Sequence, residues 1–376
     1  MNHYDITSAF AGLVRSVRSA VVAGAAVLLL GSIAQAQPRY TVTDLGSLAG
    51  YSDSVARGLN DRGDVVGSCS SANTSFGETG FVWRAGKMTD TGRLPKGNYS
   101  VATAINLAGT VVGDGDTGNF RPQAWVATAK GLVNFFPNNG GNTHAIAINN
   151  SGVICGYYTK SLSGNTSSWR GALWMPDPKD PRKFTTIDLP SIPGINPAGA
   201  NAIPWTFNNL GQAAGWVAND VIGQHGAFWN NDDAHSIVDL GTLPGDWSSL
   251  AWGMNDLGQV VGESHSPAGD RAVLWQNDAA HTPVALPALA GDVNSTASAI
   301  NNLGQILGRS TAADGSYSIV IWIDGVAYDL ETLIDSASNP GWVLITVAGI
   351  NNAGQIACTG FRNGVSHAFL LTPIAQ

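Results

Sequence analysis

Between Ala297 and Ile300 the chain alternates small and large side chains, reaches Asn301, turns at Gly304 and continues as a second apolar run, Ile306-Leu307-Gly308. The same arrangement recurs at Asn60, Asn106, Asn149, Asn208, Asn255 and Asn351, each with Gly three residues later. The residue before the Asn is always large and apolar (Leu59, Ile105, Ile148, Phe207, Met254, Ile300, Ile350). Two before it is small, and four before it is usually Ala. Alternation with period two predicts a strand. The small positions at two and four before the Asn are expected to share one face, suited to a crowded innermost strand. An Asn that can bond the backbone two residues on, followed by a Gly free to take a left-handed conformation, predicts a type I hairpin turn. Each copy therefore predicts strand A, a tight turn and strand B.

Two more strands complete each unit. Strand C is a five-residue pattern ending in Trp83, Trp125, Trp174, Trp229, Trp275 and Trp322, with Leu371 in the seventh copy. These six Trp are expected to pack between neighbouring sheets. The first residue of the pattern is Arg or His in five copies (Arg121, Arg170, His225, Arg271, His367), a candidate polar rim. Strand D runs into Asp-Leu-Gly or a relative of it, at Asp90, Asp188, Asp239 and Asp329, with Asn134 and Ala285 in two weaker copies. One further copy, Tyr40 to Gly46, precedes the first strand A, and the chain ends just after the last strand C. Units 43–59 residues apart with four short strands predict propeller blades. The expected fold is all-β, a seven-bladed β-propeller of four-stranded blades. The N-terminal strand supplies strand D of the last blade, a closure that leaves no sheet edge exposed.

Composition narrows the function class. Charged residues make up 12% of the 376, against a usual value of about 25%, and Gly reaches 46. The net charge of −8 and the lack of a basic patch exclude nucleic acid as an expected partner. Arg15 and Arg18, an apolar Ala20–Ala34 stretch and Ala34-Gln35-Ala36 predict a signal peptide over 1–36, leaving 37–376 as one exported domain, periplasmic or extracellular. That apolar stretch is short for a membrane span, and no later segment is a candidate. Cys69, Cys155 and Cys358 form no Cys-x-x-Cys motif. In an oxidising compartment Cys69 and Cys358 are the pair that ring closure would bring near each other, with buried free thiols as the commoner alternative.

Asp239 to Leu243, Ser295 to Asn301, the Gly-Gln-Ile-x-Gly of strand B and His367-Ala368-Phe369 together resemble the bacterial extracellular HAF-repeat proteins, over residues 40–373. Only one copy spells His-Ala-Phe. The resemblance implies an exported repeat protein and assigns no catalytic residue.

Candidate chemistry is sparse. Gly113 to Gly118 matches Gly-x-Gly-x-x-Gly but runs into a strand rather than a helix, which excludes a dinucleotide fingerprint. Asp114, Asp116 and Asn119 lack the Glu of a calcium loop. Glu263 and His265 are two ligands, too few for a metal site. No metal, cofactor or catalytic residue is assigned. In a propeller, the D–A and B–C loops share one face, and these loops carry the spare aromatics Tyr51, Tyr99, Tyr157, Tyr158, Trp169, Trp216, Trp247, Tyr317 and Trp342. The candidate ligand site is the cluster in blades three to five: Tyr157, Tyr158, Trp169, Trp216 and Trp247. The alternative for several of them is packing loops onto the disc. The expected function is a monomeric binding or interaction module for glycan or another cell-envelope component. The alternatives are a secreted hydrolase or lyase using Asp53, Asp114, Asp116, Asp246 or Glu263, and a purely structural envelope protein.

Overall fold

The computed structural model describes residues 38–71, 77–135, 141–161, 167–192, 201–219 and 223–375. The segment 1–36 read as a signal peptide lies outside them. The described chain forms seven four-stranded antiparallel sheets. Six follow chain order, each with strand A innermost, for example Ser248–Met254, Val260–Ser266, Gly269–Trp275 and Pro283–Ala285 in blade 5. In the seventh, Val343–Ile350, Ile356–Arg362 and Val365–Pro373 are completed by Tyr40–Asp44, paired from Tyr40 with Pro373 to Asp44 with Phe369. The ring is closed by its N-terminal strand. Tyr40 is fully buried in the core between blades 6 and 7, and Leu45 in the core between blades 7 and 1. Among the described residues no helix is long and apolar enough to cross a membrane.

Seven apolar cores lie between neighbouring blades. In the one between blades 2 and 3, Val112, Ala124 and Val126 meet Ala145, Ile148, Ile154 and Trp174. The repeated Trp of strand C is at most 1% exposed at Trp125, Trp174, Trp229, Trp275 and Trp322. Trp83 is only half-buried, and Leu371 fills the position in blade 7. The strand C rim is tied to strand D: His225 Nδ1 meets Asp239 at 2.9 Å and His367 Nδ1 meets Asp44 at 2.9 Å. These Asp also accept from the backbone N–H of Gly241 and Gly46, so each holds the strand C start and the D–A loop together.

The repeat Asn does more than turn the chain. Asn255 Oδ1 accepts from the N–H of Leu257 and of Gln259, while Gly258 takes φ 75°. Its Nδ2 donates to Gln259 Oε1 and, across the blade boundary, to the carbonyl of Asn301. The same inter-blade link joins Asn60 to Asn106, Asn106 to Asn149, Asn208 to Asn255, Asn301 to Asn351 and Asn351 back to Asn60, all at 3.0–3.1 Å. A second belt lies one residue on. Each backbone N–H donates to the side chain of the next blade's residue, from Leu107 to Asn150, then Asn209, Asp256, Asn302, Asn352 and Asp61. Leu107 has no acceptor to offer Asp61, so the belt stops between blades 1 and 2. Leu107→Asn is expected to close it and raise stability by about 0.5–1 kcal/mol, one net hydrogen bond. Thermal unfolding checks this, and an unchanged or lower midpoint would contradict it.

One expectation needs correction. The small positions at two and four before the Asn do not share a face. Every strand A carries a β-bulge at the residue three before the Asn, as between Ala251 and Gly253. The bulge adds one residue to one side of the ladder and so resets the alternation. Ala102 and Ile105, four and one before Asn106, therefore face the core toward blade 1. Ala104, two before it, faces blade 3. Cys69, Cys155 and Cys358 are buried free thiols, the commoner alternative, with Cys69 and Cys358 in different inter-blade cores.

Candidate functional site

The bulge residues form a ring of their own. Arg57, Thr103, Ile146, Trp205, Trp252, Ser298 and Ala348 occupy the same place in successive blades, and all seven line a cavity of about 290 Å³ in the central channel. A bulge re-aims the extra side chain; here it turns it away from both inter-blade cores. This ring is the part of strand A that the repeat leaves free to vary. Blades 4 and 5 place two indoles in it side by side, with ring centroids 5.6 Å apart and planes at 52°.

A second variable row lies on strand B, after the Gly that six of the seven copies carry and that Cys358 replaces in the seventh: Ser68, Asp114, Tyr157, Trp216, Glu263, Arg309 and Thr359. Each pairs with the residue five before the Asn, as Tyr157 with His144 and Glu263 with Leu250. Row members reach the next blade's strand A. Asp114 Oδ1 accepts from Ala145 N–H and its Oδ2 meets His144 Nδ1 at 2.7 Å. Thr359 Oγ1 accepts from Ala56 N–H.

The two sets meet on the side of the channel away from the Asn turns. Tyr157 stacks on His144 at 4.7 Å, meets Trp169 edge-on at 5.1 Å and approaches Trp205 at 6.0 Å. Trp205 passes to Trp252, whose indole N–H donates to the Glu263 carboxylate. Glu263 lies 3.8 Å from His265 Nε2, and His265 is held at Nδ1 by Asp270 at 2.7 Å. Trp247 sits 6.1 Å from His265 and is 64% exposed. Burial pushes the Glu263 carboxyl above its ordinary value against the opposing pull of His265, and burial with the Asp114 charge pushes the Tyr157 phenol up. The Trp205 indole N–H is buried without a partner, as are those of Trp125, Trp174 and Trp275.

Of the five residues read as a ligand site, this run contains Tyr157, Trp169 and Trp247. Tyr158 points the other way: it is 5% exposed in the core between blades 2 and 3, and its hydroxyl donates to Asp188 at 2.8 Å. Neighbours on a strand face opposite sides, so Tyr157 and Tyr158 are not expected to act together. Trp216 is half-buried opposite Ile203, one blade on from Tyr157 in the same row. Trp205, Trp252 and His144 were not among the candidates, and Glu263 was one only as a carboxylate for hydrolysis or metal binding. The available signal was the residue three before the Asn, the most varied position of an otherwise uniform strand.

Other spare aromatics pack loops down. Trp342 covers His367 and Phe369, and Tyr317 lies under Arg309 at 4.0 Å. The five carboxylates named for hydrolysis are held separately. Asp53 accepts from Ser366 N–H, Asp114 holds His144, and Asp246 meets Arg271 at 2.5 Å. Asp116 caps a loop through the N–H groups of Asn98, Gly118 and Phe120, which hold it below its ordinary value although burial opposes them. Among the described residues no three His, Cys, Asp or Glu side chains converge for a metal. A second cavity, about 210 Å³, opens at the Asn-turn mouth. Its polar lining is spent on the two hydrogen-bonded belts.

No protein-family model matches the sequence, and no curated protein matches it. Solved structures are similar in fold. They include the β-propeller domain of the Trilobed protease from Pyrococcus furiosus (TM-score 0.51, 10% identity, covering 86% of this chain and 98% of that one). A Pyrococcus horikoshii acylaminoacyl peptidase is similar at TM-score 0.50 and 12% identity over 86% of this chain, which spans 52% of that peptidase. YCF48 bound to D1 peptide is similar at TM-score 0.53 and 11% identity, over 93% of this chain and all of that one. At these identities the likeness is one of fold.

Proposed function

We propose that this propeller is an exported binding module of the HAF-repeat type that takes a glycan of the cell envelope at the aromatic side of its channel. One observation carries the reading: the continuous run Trp169, Tyr157, Trp205 and Trp252, which ends in a cavity. Aromatic faces accept the apolar side of a sugar ring. The cavity is at the low end of the ~300–1,000 Å³ range of small-ligand sites, which suits one sugar unit inserted from a longer chain. The separate tethering of the carboxylates favours binding over hydrolysis.

The test is titration of the chain from residue 38 with fragments of envelope polysaccharide, against Trp205→Ala and Trp252→Ala. Each substitution is expected to weaken binding about 30-fold or more, as for a buried aromatic anchor. Trp342→Ala, which packs a loop, is expected to leave affinity unchanged. A ligand whose affinity is indifferent to both channel Trp would refute this site.

A further inference from the structure

Resting on the reading just given, we propose that the channel ligand carries a carboxylate, a uronic-acid-type sugar unit, bound between the Trp205–Trp252 corner and the Arg57 guanidinium. Arg57 is the one cation in the ring of bulge residues, and it lines the same cavity as both Trp. In a closed ring of seven, blade 1 stands across the channel from blades 4 and 5. The cavity thus has an apolar aromatic wall and a cationic wall facing it. Thr103 and Ser298 line the cavity as well, their hydroxyls donating to the carbonyls of Ala145 and Leu307.

Arg57 is incompletely engaged. Its Nε reaches Ser68 Oγ at 3.4 Å, and its Nη2 meets Glu78 Oε2 at 3.4 Å, with both side chains about a third exposed (32% and 31%). A long ion pair exposed to this degree contributes little. The guanidinium has five donors in a planar fork matched to a carboxylate, so a ligand carboxylate in the cavity can replace Glu78 without leaving Arg57 unpaired. A neutral sugar uses the Trp corner and leaves the fork to Glu78. A hexuronate uses both, because its carboxylate projects from the ring edge at C5 and leaves a C–H face free to stack.

The probes are trigalacturonate and its methyl ester, titrated calorimetrically into the chain from residue 38. The acid is expected to bind about tenfold more tightly than the ester, the size of one charge-assisted pair. Arg57→Met is expected to abolish that preference while leaving ester binding within about twofold, and Arg57→Lys to retain part of it. Glu78→Gln, which removes the competing carboxylate, is expected to strengthen binding of the acid. Equal affinities for acid and ester, or a loss of both in Arg57→Met, would overturn this assignment and leave the glycan reading standing. Failure of both probes to bind would overturn this assignment, while the glycan reading would still be decided by the envelope-polysaccharide titration. Tighter binding of a Glu-containing hexapeptide than of trigalacturonate would move the ligand to the peptide class and overturn it as well.

Discussion

A chain begun at residue 47 is expected to lose most of its stability and to associate. The deletion removes strand Tyr40–Asp44 and with it five backbone-paired positions on Val365–Pro373. Tyr40 is 0% exposed and Leu45 6%, and they belong to different cores, so two inter-blade contacts are opened at once. Truncating each large buried side chain costs about 2–5 kcal/mol. Their sum is comparable to the ~5–15 kcal/mol stability of a typical domain. Tyr40 is further pinned by its carbonyl, which accepts from Asp335 N–H at 2.8 Å, and Val42 N–H donates to Ser338 Oγ at 3.1 Å. The bared strand C of blade 7 then offers a row of unpaired backbone groups to a second copy. Thermal unfolding and size-exclusion chromatography against the chain from residue 38 measure both effects. An equal midpoint with monomeric elution would show that the ring does not depend on this closure.

Gly262→Ala is expected to cost about 3 kcal/mol, at the upper end of overpacking, because the obstacle is main chain. A Cβ at Gly262 would stand 1.9 Å from the Leu250 carbonyl oxygen. The same approach, at 1.9–2.0 Å, occurs at Gly67, Gly113, Gly156, Gly215 and Gly308, each against the carbonyl five before the repeat Asn. No rotamer relieves such a contact; the bulged strand A must move, and with it the channel ring. Blade 7 supports this account. Cys358 stands there in place of the Gly, and its strand A carries a second irregularity, between Leu344 and Thr346. Gly226→Ala is the control. Its nearest neighbours would be side-chain atoms at 3.5 Å, an ordinary contact, and a change within about 0.5 kcal/mol is expected. Denaturant unfolding compares the two variants, and equal midpoints would refute the close-approach argument.

The channel variants test function where these two test architecture. Gly262 supports the bulge that aims Trp252, so weaker ligand binding in Gly262→Ala would follow from strand displacement. Trp252→Ala removes the ring without touching the main chain.

The sequence by itself determined the architecture. Seven Asn-x-x-Gly turns, a Trp-ended strand after each of six of them and an Asp-terminated outer strand are local signals, and a repeat states each one several times. The orphan strand at Tyr40 and the missing strand D after Leu371 determined closure for the same reason, since a ring of equal units has one arithmetic solution. What faces the channel was decided only by the tertiary structure. The bulge opposite each strand B Gly shifts the alternation by one residue, and no local pattern announces it. Arg57, Trp205 and Trp252 therefore carry no local sequence signal of the channel lining they form. Tyr158 and Tyr157 read as one cluster when the pleat sends them to opposite sides. Cys69 and Cys358 read as neighbours because their blades are adjacent, yet the sheet between them puts each thiol in its own core. Repetition fixes which residues are equivalent; which of the equivalent positions shares a cavity depends on the register of the paired strands, as of Leu250 with Glu263, and on how the blades lean together.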